Sequence, residues 1–159
     1  MTPAIALLEK QNVRFSVHDF GHQASTRDYG KEAARKLELS PDLIFKTLVT
    51  QLADERVVIA LVPVSRQLDT KKLAASLRVK KATMAPRQAI QRLTGYLPGA
   101  VSPLAQRRRF PTIIDISARA LDVVYISAGK RGVDICLTLA DLAQLTSANI
   151  ADISTHVQA

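Results

Sequence analysis

Helical spacing of apolar residues recurs along the chain, and each helical stretch follows a residue suited to start it. The first helix is predicted after the N-cap residue Thr2, with Pro3 at its first position and Ile5, Leu7 and Leu8 on one face. The other predicted helices are 26–37 after Ser25 or Thr26, a short turn at Ser40-Pro41, 70–77 after Asp69, 86–94 between Pro86 and Gly95, and 139–145 after Thr138.

Alternation of apolar and polar residues, or a short apolar run, predicts strands over much of the remaining chain. These strands are residues 14–20, 45–52, 56–64, 79–84, 112–116, 123–127 and 133–137. Turns at Asp54-Glu55 and at residues 128–132 join two strand pairs into hairpins, whereas residues 96–109 are predicted to form a loop. The pattern favours a single α+β domain over residues 1–159, with a mixed, mainly antiparallel curved sheet flanked by helices.

Composition places the chain among ordinary globular proteins. Of its 159 residues, 47% are hydrophobic and 23% are charged, which is not the balance of a disordered chain. One cysteine, Cys136, allows no internal disulfide, and neither a membrane-spanning run nor a secretory signal is found. We therefore expect a cytoplasmic protein.

Positive charge is concentrated in the middle of the chain. Residues 1–65 carry no net charge, whereas residues 66–135 carry a net charge of +10. A one-sided basic field attracts polyanions, although a solvated surface that only confers solubility is the alternative. The clustered cations are Lys71, Lys72, Lys80, Lys81, Arg107, Arg108, Arg109, Lys130 and Arg131.

Lys46 is the most informative single residue. On the predicted strand 45–52, a period of two places it on the same face as Ile44, Leu48 and Leu52. A lysine among apolar neighbours is costly unless it meets an anion or lines a cavity. It either reaches water from the strand end or binds a phosphate or carboxylate.

Two further segments could carry chemistry. In residues 99–103, Gly99 permits close backbone approach and Pro103 stiffens the exit, so the intervening N–H groups could face a developing oxyanion. In residues 127–134, two glycines and two cations suit a tight hairpin that contacts phosphate, and Asp134 could orient an amine. Plain turns, with Asp134 paired to a nearby cation, are the alternatives.

The usual catalytic sets are missing from the sequence. His18 and His22 are four residues apart but lack the helical glutamate of a zinc protease, so no metal and no cofactor is expected. Cys136 lies in an apolar strand and is interpreted as a small buried hydrophobe. An enzyme of this composition would depend on positioning, on backbone donors and on groups of its own substrate.

Taken together, these segments resemble the YbaK family of aminoacyl-tRNA deacylases, relatives of the editing domain inserted in bacterial prolyl-tRNA synthetase. The similarity runs nearly from end to end and occurs in a fixed order. The matching segments are Met1-Thr2-Pro3-Ala4, Phe45-Lys46-Thr47-Leu48, Pro63-Val64, Gln67-Leu68-Asp69, Thr94-Gly95-Tyr96-Leu97, Val101-Ser102-Pro103-Leu104, residues 111–115 and residues 129–135.

The resemblance implies an editing enzyme that hydrolyses cysteine mischarged onto tRNA(Pro), in trans, on tRNA that is either released or bound to prolyl-tRNA synthetase. It implies that Lys46 is the essential lysine, and that catalysis is substrate-assisted, with the cysteine thiol attacking its own ester. The residues implied to bind the substrate are Phe20, Thr47, Gly99, Ala100, Val101, Ser102, Pro103, Ser127 and Asp134. The tRNA backbone is expected to meet Lys71, Lys72, Lys80, Lys81, Arg107, Arg108, Lys130 and Arg131.

Three departures from the family pattern concern the substrate pocket. Relatives that clear cysteine often have the sequence Gly-Gly-Ile-Ser-Pro-Leu-Gly at the positions of residues 99–105, where this chain has Ala100 in place of the second glycine. Ala128 replaces another common glycine, and Phe20 stands where tyrosine is frequent. One methyl group in a pocket changes selectivity by only about 1–3 kcal/mol. The alternatives are therefore a deacylase for another amino acid such as alanine, or a non-catalytic tRNA-binding module that docks on prolyl-tRNA synthetase.

Overall fold

The computed structural model describes residues 1–21 and 29–157. The helices in these ranges are α1 (Pro3–Lys10), α2 (Tyr29–Lys36), α3 (Thr70–Ser76), α4 (Ile90–Thr94) and α5 (Leu139–Thr146), with 3-10 helices at Arg87–Ala89 and Ile116–Ala120. The strands are β1 (Ser16–Asp19), β2 (Phe45–Leu52), β3 (Val57–Pro63), β4 (Arg66–Leu68), β5 (Ala82–Met84), β6 (Thr112–Asp115), β7 (Val123–Lys130), β8 (Val133–Thr138), β9 (Asn149–Ala151) and β10 (Ser154–His156).

The strands form a mixed sheet and two antiparallel ones. The mixed sheet has the order β5-β2-β3-β6-β9, in which β2 pairs antiparallel with β5 and β3, while β6 pairs parallel with β3 and β9. The second sheet, β1-β8-β7, and the ribbon β10-β4 are antiparallel throughout. The predicted α+β class with a mixed, mainly antiparallel arrangement is confirmed.

Strand β3 lies at the centre of the core, and every one of its residues is buried. Its side chains alternate between two apolar clusters. Ile59 and Leu61 pack in a cluster with residues of α1, β7, β8 and α5, whereas Val58, Ala60 and Val62 pack in a cluster with residues of α3. Burial on both faces explains why residues 57–62 form a continuous apolar run.

The predicted helix boundaries depend on local capping, and the structure confirms them. Thr2 Oγ1 accepts a hydrogen bond from the Ile5 N–H at 3.2 Å, and Asp69 accepts from two N–H groups of α3. Thr138 Oγ1 accepts from the Asp141 N–H at 3.1 Å. Gly95 ends α4 with φ of +86°, a left-handed conformation that glycine adopts without strain.

Other sequence-based expectations were less accurate. The predicted strands 14–20 and 79–84 shrink to β1 and β5, and Ser40-Pro41 starts a turn instead of a helix, with the Leu43 N–H bonded to the Ser40 carbonyl oxygen. Strands β4, β9 and β10 were not predicted, because three residues are too few to show an alternating pattern. Ser25 and Thr26, the expected caps of the second helix, lie outside the described residues.

Within the described ranges, no helix combines the length and the apolar character needed to cross a membrane.

Candidate functional site

A cavity of about 530 Å³ lies where β2 meets the β7–β8 hairpin and the loop at residues 98–101. The two main sheets are joined beside it, because Ile44 forms a bridge with Tyr125, whose N–H donates to the Leu43 carbonyl oxygen at 2.8 Å. Several residues that the sequence predicted to bind substrate or tRNA line this cavity. They are Phe20, Lys46, Thr47, Gly99, Val101, Ser127, Lys130, Arg131 and Asp134.

Lys46 is half-buried on β2 and lines this cavity. As predicted, it shares a face with apolar residues, since Leu48 and Leu52 pack in the cluster that also contains α3 side chains. Its Nζ donates a hydrogen bond to the Arg66 carbonyl oxygen at 3.1 Å. The ammonium group is therefore positioned by the protein at the cavity wall.

Asp134 lies on β8, the central strand of the second sheet, directly opposite Ser127 on β7 and His18 on β1. It is 8% exposed and lines the cavity. Burial disfavours the charged form and raises the pKa of the Asp134 carboxyl to about 7. A buried carboxyl that changes charge near neutral pH in a cavity also lined by a lysine is typical of a functional site.

The β7–β8 turn forms one wall of the cavity. Ser127 Oγ accepts from the Gly129 N–H at 3.1 Å, and the strand register shifts between Ser127 and Lys130, which turns the hairpin tip. Gly129 has φ of +93°, and a methyl group there would collide with the ring of Tyr96. Arg131 Nη2 donates to the Pro98 carbonyl oxygen at 3.1 Å, so this wall is attached to the facing loop.

The loop at residues 99–103 contributes mainly its backbone to the cavity. Gly99, with φ of +82°, and Val101 line it, whereas Ala100, Ser102 and Pro103 are buried and lie outside the lining. Ser102 Oγ accepts from the Leu104 N–H at 3.3 Å, which holds the loop in shape. Among the described residues, the N–H groups of Val101 and Ser102 have no hydrogen-bond acceptor.

Cations dominate the cavity lining. Lys46, Lys130 and Arg131 are joined by Arg87 of the 3-10 helix, and Asp134 is the one acid among the described lining residues. Clustered cations on low-dielectric walls attract anionic groups such as phosphate. Sequence reasoning missed Arg87, because it stands alone and not in one of the basic pairs that drew attention to the other cations.

The remaining predicted tRNA-backbone residues do not line this cavity. The exposed ones are Lys71, Lys80, Lys81, Arg107 and Arg108. Lys72 differs from them, because its Nζ binds Asp152 Oδ1 at 3.2 Å and the Ser154 carbonyl oxygen at 2.9 Å. Its ammonium group thus connects α3 to the C-terminal segment, and an RNA phosphate would compete with those contacts.

His18, His156 and Cys136, which the structure describes, do not line the cavity. In the described part of the chain, no three His, Cys, Asp or Glu side chains are grouped so that they could hold a metal ion; His22 is outside that part. His18 Nε2 lies 2.8 Å from Ser16 Oγ and its ring packs edge-on against Tyr125. Cys136 is half-buried beside Tyr125, so it is more exposed than the small buried hydrophobe that was expected.

The fold that carries this cavity is that of a domain that edits aminoacyl-tRNA. A family model described as the aminoacyl-tRNA editing domain matches residues 24–145, and the chain belongs to that family. It is a hydrolase that acts on aminoacyl-tRNA.

Similar proteins include one relative by sequence and two solved structures that share the fold. A protein of Enterococcus faecalis, EbsC, assigned as a Cys-tRNA(Pro)/Cys-tRNA(Cys) deacylase, is 33% identical over 156 residues, which are 97% of this chain and 93% of that protein. A solved structure described as a trans-editing enzyme for prolyl-tRNA synthetase has a TM-score of 0.85 at 23% identity, over 96% of this chain and 95% of that one. A scaffold used for epitope grafting also has a TM-score of 0.85, at 22% identity over 98% of this chain and 96% of that one.

Proposed function

We propose that the protein clears cysteine from mischarged tRNA(Pro) in trans, and that the 530 Å³ cavity binds the acylated 3′ end. The observation that carries this proposal is the meeting of Lys46, Asp134 and the Gly99–Val101 backbone around one cavity. The name of the Enterococcus faecalis relative supports cysteine as the amino acid and tRNA(Pro) as one carrier.

The charges of the cavity suggest how the ligand is oriented. The terminal phosphate is placed near Lys46 and the cations of the hairpin tip, where opposite charges attract most strongly in a partly buried site. The α-ammonium group of the amino acid is placed at Asp134, the only acid that the described residues contribute to the lining. The ester carbonyl oxygen then faces the N–H group of Val101, which lines the cavity and would stabilise a developing negative charge.

The described lining contains no histidine or cysteine that could supply a nucleophile, which supports a substrate-assisted reaction. The cysteine sulfur attacks its own ester carbon, so that a carbon–sulfur bond forms and the ester carbon–oxygen bond breaks. The thiol proton passes to the departing ribose oxygen. Water then opens the cyclic thioester and releases free cysteine.

The setting of the reaction is part of the proposal. A trans-acting enzyme meets charged tRNA in the cytoplasm, either free or on prolyl-tRNA synthetase. The solved structure described as a trans-editing enzyme for that synthetase has the same fold, which supports this synthetase as the partner.

A deacylation panel tests the proposal. Labelled Cys-tRNA(Pro), Ala-tRNA(Pro) and Cys-tRNA(Cys) are incubated with the protein, and loss of the ester is followed. We expect Cys-tRNA(Pro) to be hydrolysed fastest, and Lys46→Ala to lower that rate by about 100-fold, the scale of losing one preorganised charged donor.

The matched control is Lys10→Ala, which removes an exposed lysine at the end of α1, away from the cavity. It should hydrolyse the ester at the wild-type rate. Full activity in Lys46→Ala would disprove the role of that lysine, and a preference for Ala-tRNA(Pro) would disprove the assignment of cysteine.

A further inference from the structure

A second cavity of about 600 Å³ lies beyond the far end of β2. Its lining includes the guanidinium-bearing residues Arg56, Arg92, Arg108 and Arg109, and Glu55 is the only acid within the part of the lining that the structure describes. We call this cavity the arginine cleft. Its apolar surface includes Leu93 and the half-buried aromatic ring of Phe110. A cationic cleft with an apolar floor suits a ligand that presents both charge and flat unsaturated rings.

Two of the four arginines are available to a ligand. Arg56 is paired with Asp54 at 2.6 Å, and Arg109 Nη2 donates to Ser147 Oγ at 2.7 Å. Arg92 and Arg108 are exposed, and within the described ranges the guanidinium group of neither donates a hydrogen bond or forms an ion pair. Guanidinium groups are weakly hydrated and match the geometry of phosphate oxygens, so a phosphate-bearing ligand fits them best.

The arginine cleft is adjacent to the catalytic cavity. Arg87 and Ile90 line the catalytic cavity, whereas Arg92 and Leu93, further along the same helical segment, line the cleft. On β2, residues 45–49 line the catalytic cavity and residues 51–52 line the arginine cleft. At about 3.3 Å per strand residue, the two sites are on the order of 13 Å apart, a distance that a few nucleotides of single-stranded RNA can span.

We propose that the arginine cleft binds the sugar–phosphate backbone of the tRNA acceptor end, a few nucleotides before the terminal adenosine. This inference rests on the proposed function, because it assumes that the terminal adenosine occupies the catalytic cavity. An RNA strand is favoured over an acidic protein because the same molecule must already enter the neighbouring cavity. The cleft increases affinity for the whole tRNA and leaves the chemistry at the ester unchanged.

A binding experiment on uncharged RNA tests the cleft without any ester. A fluorescent acceptor-stem hairpin that ends in CCA is titrated with wild type and with the double variant Arg92→Ala/Arg108→Ala across a range of salt concentrations. We expect Kd at low salt to rise about 10-fold or more, and the slope of log K against log salt to fall by about 2, one for each lost phosphate contact.

The matched control removes the same charge elsewhere. Arg14→Ala/Arg119→Ala deletes two exposed arginines that line neither cavity, and it should change Kd by less than 2-fold in this assay. Equal weakening in both double variants would overturn the cleft, because only net charge would then matter. An unchanged Kd of the cleft variant for the RNA hairpin would also overturn the proposed RNA site. The same holds if that variant binds RNA normally but loses binding to an acidic protein.

A kinetic experiment separates the cleft from the proposed function. With full Cys-tRNA(Pro), the cleft variant should raise KM about 10-fold at nearly unchanged kcat, whereas hydrolysis of a cysteinyl ester of adenosine should stay at the wild-type rate. If the wild-type protein hydrolyses neither ester but binds the hairpin through the cleft, the proposed function is refuted and RNA binding at the cleft is retained. Wild type that hydrolyses both esters, with no effect of the cleft variant on KM, would refute the cleft alone.

Discussion

The ammonium group of Lys46 is held by the backbone of Arg66, whose carbonyl oxygen lies 3.1 Å from Nζ. Arg66 is itself fixed by the C-terminal ribbon, because its Nε donates to Ser154 Oγ at 2.5 Å and β4 pairs with β10. Ser154 is fully buried. The position of the lysine in the cavity therefore depends on strand pairing with residues near the end of the chain.

The first prediction concerns Arg66→Ala, which keeps the carbonyl oxygen but removes the anchor to Ser154. We expect kcat to fall by about 10-fold, because small displacements of a reacting group are costly. The inhibition constant of uncharged competitor RNA should change little. Gln67→Ala is the matched control, since Gln67 is an exposed neighbour on the same strand. Equal activity of Arg66→Ala and Gln67→Ala in single-turnover deacylation would contradict this prediction.

The second prediction concerns the charge of Asp134 in catalysis. With its pKa raised to about 7 by burial, the carboxyl is mostly neutral at pH 6 and increasingly charged above pH 7. If the charged form holds the α-ammonium group, the ratio of wild-type to Asp134→Asn activity should be several-fold larger at pH 7.5 than at pH 6. The measurement is kcat/KM at each pH after subtraction of spontaneous ester hydrolysis, and a constant ratio would speak against this role.

The third prediction concerns stability at the same carboxyl. Between pH about 4 and 7, folded Asp134 holds a proton that the unfolded chain has released, so the free energy of unfolding falls as pH rises through this window. Asp134→Asn has no proton to release, so it avoids this fall in the free energy of unfolding. The change that the substitution causes in that free energy should be about 2–4 kcal/mol more favourable at pH 8 than at pH 4. Urea unfolding of both proteins at the two pH values measures this difference, and equal effects at both would be inconsistent with the raised pKa.

The fourth prediction concerns Gly129, whose φ of +93° and contact with the Tyr96 ring leave no room for a side chain. Gly129→Ala should lower the free energy of unfolding by about 2–4 kcal/mol, since backbone strain adds to displacement of a buried ring. Gly21→Ala is the matched control, because Gly21 also has a positive φ, +69°, but has open space around it. It should cost about 1 kcal/mol, and similar melting temperatures for the two variants would show that the ring contact is unimportant.

The fifth prediction concerns Ala128, which replaces a glycine common in cysteine-clearing relatives. Ala128 is fully buried and lies outside the cavity lining, so its methyl group packs in the core and does not narrow the substrate site. Ala128→Gly should destabilise the fold by about 1 kcal/mol and leave the ratio of Cys-tRNA(Pro) to Ala-tRNA(Pro) hydrolysis within about 2-fold of wild type. A 10-fold change in that ratio would place the methyl group in the selectivity pocket.

What the sequence predicted well depends on local interactions. The caps at Thr2 and Asp69 and the boundaries of β2 follow from neighbouring residues alone, and the structure has them as expected. The edge strands β9 and β10 owe their pairing to distant partners, which no local pattern reveals. In the candidate site the sequence identified the 99–103 loop and Asp134, but which atoms of that loop face the cavity depends on how Ser102 packs inward.

The hydrogen bond from Arg131 to Pro98 has a consequence for which amino acids the enzyme accepts. It connects the hairpin tip to the facing loop, so the length of one arginine side chain sets the separation of these two walls of the cavity. Walls held at a fixed separation discriminate by size as well as by charge. Under the proposed function, an acyl group too wide for this gap would not be hydrolysed.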